Sequence, residues 1–261
     1  MKKYRVLLFV LLFSFVGIML HSQSVPSSAG LNTPFVDINI RGVDGNQETA
    51  LAIQIILLLA VITLSPSIIL LTTSFLRISI VFEFVKRALS LQQVPPTQII
   101  LGISLFLTLF VMWPTFTDIY NDSFKPFANG EINISQMYSS AEKPLRNFMF
   151  NQIDNSKEGR KNIELFLALS GVKEQPKVLG DIPTYVLVPA FILNELRIGF
   201  MIAIALYIPF IIIDMVVSSV LMSMGMIMLP PVMISLPFKL LLFVMVDGWS
   251  LLTQNVVQGF M

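Results

Sequence analysis

The stretch YVLVPAFILNELRIGFMIAIALYIPFIIIDMVVSSV, Tyr185 to Val220, holds only Glu195, Arg197 and Asp214 as charged side chains in an otherwise apolar run. A helix crosses a bilayer with about 20 apolar residues, so this run is longer than one span. No soluble globule could bury all its faces. The chain is therefore read as an all-α membrane protein of long kinked helical hairpins. Downstream, Leu221-Met222-Ser223-Met224-Gly225-Met226-Ile227-Met228-Leu229-Pro230-Pro231 forms a Met-rich turn, and Val232 to Val246 is apolar again.

Upstream, Ala50 to Leu71 is nearly all apolar and continues through Phe75 to Phe84. Pro66 lacks an amide donor and is predicted to break or kink that run. Lys86 and Arg87 close it, and Gln92-Gln93-Val94-Pro95-Pro96 reads as a turn whose basic flank is cytoplasmic. A second run, Ile99 to Trp113, is predicted to end at Pro114. Asp118 to Pro183 is ordinary polar sequence, with a helix over Glu164 to Leu169 stopped by Gly171. It forms a small helical external domain.

Lys2, Lys3 and Arg5, then apolar Val6 to Leu20, then Ser22 and Ser24 at small-x-small spacing have the order of a cleaved secretory signal peptide. The expected organisation is thus a signal peptide at 1–24, an external leader at 25–48 and a first hydrophobic hairpin at 49–117. An external domain follows at 118–184, and a second hairpin with the Met-rich loop at 185–261. Counting spans from an external start places the 118–184 domain and the C-terminus outside.

Composition narrows the function. The 261 residues are 55% hydrophobic and 13% charged, with a net charge of +1, so no electrostatic footprint for nucleic acid is present. There is no cysteine, and the single histidine, His21, falls within the predicted signal peptide. Thiolate, imidazole and zinc chemistry therefore fall away. No enzyme activity, cofactor or metal is expected.

Charges inside apolar helices are expensive and need a partner or a watery path. Arg77, Glu83, Glu195, Arg197, Asp214, Lys239 and Asp247 all qualify. Asp214 and Lys239 stand at nearly equal counts from the middle of the Met-rich turn, which on a helical hairpin means similar height. A buried pair fixing helix register is predicted, against the blander reading that each snorkels to an interface. Glu195 and Arg197, two apart, face different ways and need separate partners. The methionines Met222, Met224, Met226 and Met228 read either as core filler or, with Gly225 and Pro230-Pro231 breaking the helix, as a soft dry constriction.

Three stretches carry a resemblance. They are Thr73-Ser74-Phe75-Leu76-Arg77-Ile78 through Arg87-Ala88-Leu89 to Pro95-Pro96, Pro189 to Phe200, and Leu229-Pro230-Pro231 through Leu236-Pro237-Phe238-Lys239 to Asp247-Gly248-Trp249. With the segment order they make the chain similar, over roughly residues 45 to 260, to the FliP family of flagellar type III protein-export gates. The resemblance implies a homo-oligomeric ring, with five copies expected, assembled with FliQ and FliR and other export-apparatus membrane proteins. It implies a pore for unfolded flagellar substrates in the inner membrane at the flagellar basal body. It also implies a pore gasket at Met226, Ile227 and Met228, where Ile227 departs from the family's consecutive methionines. Asp214 and Lys239 match structurally important charges, and Glu195 matches a position at subunit contacts. Arg77 and Arg160 are taken with Glu195 as subunit-contact or structural charges. Asn194 stands where the family more usually has a hydroxyl residue or histidine.

Other classes remain open at this point. A small-solute transporter also uses broken helices and midplane charges, but no inverted repeat is found. A membrane protease would need paired acids, of which Asp214 and Asp247 are the best candidates. Within the family, the injectisome subunit of a virulence secretion system is the runner-up; such relatives commonly lack a signal peptide.

Overall fold

The computed structural model describes residues 46–91, 95–171, 181–226 and 228–260. The predicted signal peptide, most of the leader, Gln92 to Val94 and Ile227 lie outside the described residues. From Ile56 onward the chain forms one compact unit; the residues before it belong to a separate one, whose described part is the first turns of a helix.

The described residues are helical, with no strand among them. The helices are α1 (Asn46–Leu71), α2 (Phe75–Ala88), α3 (Thr97–Ile119), α4 (Lys125–Ala128), α5 (Ile134–Asp154), α6 (Lys157–Ser170), α7 (Thr184–Ser223), α8 (Pro231–Met245) and α9 (Gly248–Gln258). Three stretches are long and apolar enough to cross a membrane: Ala52–Leu71, Thr97–Ala128 and Thr184–Ser223. The pair α8 and α9, bent by 64°, makes a fourth if counted as one broken span.

Pro114 does not end its helix as the sequence leads one to expect, and Pro66 does not break α1. α1 runs through Pro66 to Leu71, and α3 runs through Pro114 to Ile119 and on by a π-helical turn, Tyr120–Phe124, into α4. A proline removes one donor, and a long apolar helix that keeps its other bonds can carry it. The interruption between α1 and α2 falls at Thr72-Thr73-Ser74 instead. There Thr72 Oγ1 donates to Ile68 O at 3.0 Å, and Thr73 Oγ1 donates to Leu70 O at 3.0 Å and accepts from Phe75 N at 3.4 Å. Successive hydroxyls competing for backbone groups end the helix.

α2 is the centre of the packing. Its buried residues Arg77, Ile78, Val81, Phe82, Val85, Lys86 and Ala88 recur at helical spacing and form one stripe. That stripe meets Ile100 of α3, Phe210 of α7, Phe243 of α8, and Leu252 and Val256 of α9 in a single core. α3 offers a narrow face, Ile100, Ser104, Thr108, Met112 and Thr115. Ser104 and Thr108 satisfy their hydroxyls on the carbonyls four residues earlier, at 2.8 and 2.7 Å, so they pack without leaving a polar group unpaired. A second core joins Met149 and Ile153 of α5, Ile163 of α6 and Val186, Leu187, Ala190 and Phe191 of α7. α7 therefore serves both cores, α5 and α6 against its first half and α2 and α8 further along.

Capping chemistry sets the helices between α4 and α7. Asn133 and Gln136 form a reciprocal capping box at the start of α5. Ser156 caps α6 by accepting from Gly159 N at 2.8 Å, and Gly171, left-handed at φ 69°, ends it.

Candidate functional site

α2 ends with Ser90 N bonded to Arg87 O and Leu91 N to Lys86 O, while Ser90 sits at φ 59°. This is the double-bonded helix stop usually made by glycine, so a serine here holds a strained backbone. Lys239 of α8 reaches this corner. Its Nζ donates to Ser90 Oγ at 2.8 Å, to Ala88 O at 3.2 Å and to Asp214 Oδ2 at 2.6 Å. All three protons of the ammonium are used, and a cation lies at the carbonyl end of α2, where the helix dipole favours it. Asp214 Oδ1 accepts from the Ser235 hydroxyl. The Lys239 side chain is 1% exposed and that of Asp214 28%. One ammonium thus ties α2, α7 and α8 together.

A second network lies at the other end of α2. Arg77 Nε donates to Glu195 Oε2 at 2.8 Å and Nη2 to Oε1 at 2.5 Å, a two-pronged pair with side chains 2% and 0% exposed. Two further donors are used as well: Nη1 bonds Gly259 O at 2.8 Å and Nη2 bonds Gln152 Oε1 at 3.2 Å. The guanidinium also lies 3.9 Å from the Phe260 ring centre. Gln152 Nε2 donates to Phe260 O, Asn194 Nδ2 donates to Gln152 O, and Ser156 Oγ donates to Asn194 Oδ1. The polar chain runs from the start of α6 through α7 and α5 to α2 and the segment after α9. Gly159 belongs to it by size, since a Cβ there would fall 2.4 Å from Ile153 O.

The turn after α7 follows from Gly225 at φ 73°. Gly225 N bonds Met222 O and Met226 N bonds Leu221 O, the glycine version of the same stop. Met222, Met224, Met226 and Met228 are all exposed, and Met228 is fully so. Ile227, predicted with its neighbours as gasket, lies outside the described residues.

The other predicted charges sit elsewhere. Arg160 Nε is 2.8 Å from Asp154 Oδ1, an exposed pair between α6 and the end of α5. Arg197 faces away from Glu195 and meets Glu158 at 3.1 Å. Asp214 is engaged by Lys239 and Ser235, and Asp247, at the α8–α9 bend, makes no bond to it. Among the described residues no three His, Cys, Asp or Glu side chains converge as metal ligands. A polar cleft of about 680 Å³, lined in part by Asp118, Asp122, Lys143 and Asn151, opens beside α3 and α5.

Sequence reading singled out Arg77, Glu195, Asp214 and Lys239 but not Ser90, Gln152, Ser235, Gly259 or Phe260. The uncharged partners carry no signal of their own: a serine or glutamine becomes informative only once a buried charge stands beside it.

Against known proteins, a family model described as FliP family matches residues 58–256. The chain is 49% identical to the flagellar biosynthetic protein FliP of Treponema denticola, covering 100% of this chain and 99% of that protein. It is 56% identical to that of Treponema pallidum, over 87% of this chain and 83% of the relative. The protein of the same name from Borreliella burgdorferi is 49% identical, over 97% and 98%.

Proposed function

The chain belongs to the FliP family, and from that premise we propose that it is a core subunit of the flagellar export gate, lining the pore through which unfolded flagellar proteins leave the cytoplasm. Membership makes it a membrane-embedded component of the flagellar export apparatus. The finer reading adds a ring of copies, five by expectation, joined to FliQ and FliR in the inner membrane. In it residues 118–184 face the periplasm and Met226, Ile227 and Met228 surround the pore as a pliable seal.

One observation carries the step from membrane helix to gate. α7 is 40 residues long, about 60 Å at 1.5 Å per residue, against a hydrocarbon layer about 30 Å thick. Many of its apolar side chains, among them Phe200, Met201, Ile204, Ile208, Ile212, Met215 and Val216, and nearly all the apolar ones described on α1, are exposed. Lipid cannot cover a helix twice its own thickness, and water would not favour the remainder. Neighbouring subunits would cover it, which suits a gate built from packed copies. The Met-rich turn supports the seal: exposed, unbranched thioethers adapt to irregular contact without demanding hydrogen bonds.

Deletion of the gene with complementation by the intact chain tests the reading. Export of flagellar proteins and swimming should both be lost and both restored. Normal swimming in the deletion strain would overturn it, and loss of effector secretion alone would move the chain to an injectisome.

A further inference from the structure

Every charged side chain of α2, α7 and α8 has a partner within the chain: Arg77 with Glu195, Arg87 with Glu83, Lys86 with the Thr97 hydroxyl, Arg197 with Glu158, and Asp214 with Lys239. Asp247, in the break between α8 and α9, is the exception. Its side chain does not cap α9 and makes no hydrogen bond or ion pair among the described residues. Apart from Ser250, the exposed side chains around it are apolar: Val244, Met245, Val246, Trp249 and Leu251.

The backbone does not call for this residue. Asp247 is left-handed, at φ 50° and ψ 52°, a conformation that glycine, asparagine and aspartate all tolerate. The bend is held from the next position, because a Cβ on Gly248 would fall 2.3 Å from the Phe243 ring. Glycine or asparagine at 247 would serve the turn as well. What aspartate adds is a negative charge, on a surface where an unpaired charge is costly. An exposed carboxylate set among mostly apolar side chains is complementary to a cation carried on another apolar surface.

We propose that Asp247 and the apolar surface of the α8–α9 bend form a docking site for a neighbouring subunit, which places a lysine or arginine of an apolar helix against the carboxylate. The inference rests on the reading of the chain as one subunit of a multi-protein membrane gate. It differs from the internal pairs in that its second half lies on another polypeptide.

The test uses the complete chain in a flagellated strain, with Asp247→Asn, Asp247→Gly and Asp247→Lys replacing the native residue. Asn and Gly keep the backbone and remove the charge. Chain levels in the membrane should hold, while recovery of the detergent-extracted complex and secretion of flagellar protein should fall roughly tenfold or more, Lys being the most severe. A photoreactive residue at Val246, with Asp247 intact, should join to a peptide bearing Lys or Arg in an apolar helix of another subunit. Wild-type secretion and complex recovery in both neutral variants would overturn the proposal. So would adducts formed with lipid alone, or loss of the chain itself in both variants, which would make Asp247 a folding residue. A deletion strain that still exports would sink the gate reading. Export lost on deletion but intact in Asp247→Asn would sink this docking site only.

Discussion

Lys239 and Arg77 are each satisfied by several groups at once, and that sets what their removal does. Lys239→Met leaves Asp214 without its cation and the Ser90 corner without its donor. Breaking a buried pair from one side typically costs about 3–5 kcal/mol; Asp214 is partly exposed, which places this variant near the lower end. Thermal unfolding of the detergent-purified protein should show it as a lowered midpoint. Exchanging the charges, Asp214→Lys with Lys239→Asp, should restore export only in part, because an aspartate at 239 would face the Ala88 carbonyl. Failure to recover anything beyond the single variants would mean that the pairing is not what these residues are for. Glu195, at 0% exposed, has no solvent to retreat to. Arg77→Met should therefore destabilise more than Arg77→Met combined with Glu195→Leu, since the double variant buries no lone charge; simple additivity of the two melting shifts would contradict this. The matched height of Asp214 and Lys239 was legible in the sequence, because both count from one turn along helices of constant rise. The partner of Arg77 was not. Glu195 lies 118 residues away, beyond a polar region whose path no periodicity reveals.

Elements were easier to find than their breaks. Long apolar runs announce helices at any proline content, so α1, α3, α7 and α8 stand out. Pro114 ends no helix and Pro66 breaks none, because one missing donor weighs less than the many bonds a long helix retains, whereas Thr72-Thr73-Ser74 offered the backbone several alternatives at once. The glycine stops at Gly171 and Gly225 act where the left-handed turn needs them. Gly225→Ala should cost about 1–2 kcal/mol in backbone strain, as open space surrounds the position. Gly248→Ala adds a collision with Phe243 and should destabilise more, with Phe243→Leu recovering part of the loss; equal melting shifts for the two glycine variants would argue against a pinned bend. In the Met-rich turn, Met226→Ala or Met228→Ala should raise ion leakage through the inner membrane while leaving the complex assembled. Unchanged leakage would reduce these side chains to packing.

At the scale of the molecule, the 55% hydrophobic composition says that water is excluded without saying by what. The fold sharpens this. One core is built around α2 and the faces its neighbours turn to it, the other between α5, α6 and α7, while α1 and much of α7 keep apolar side chains on the outside. The chain supplies its own buried charge networks but not the cover for its longest helices. The account therefore predicts a protein that is incomplete alone. Its most direct test is the mass of the complex extracted from flagellated membranes in mild detergent and measured by native mass spectrometry. Several copies of the chain, five by expectation, held together with FliQ and FliR is the predicted result; a stable monomer free of other subunits would contradict it.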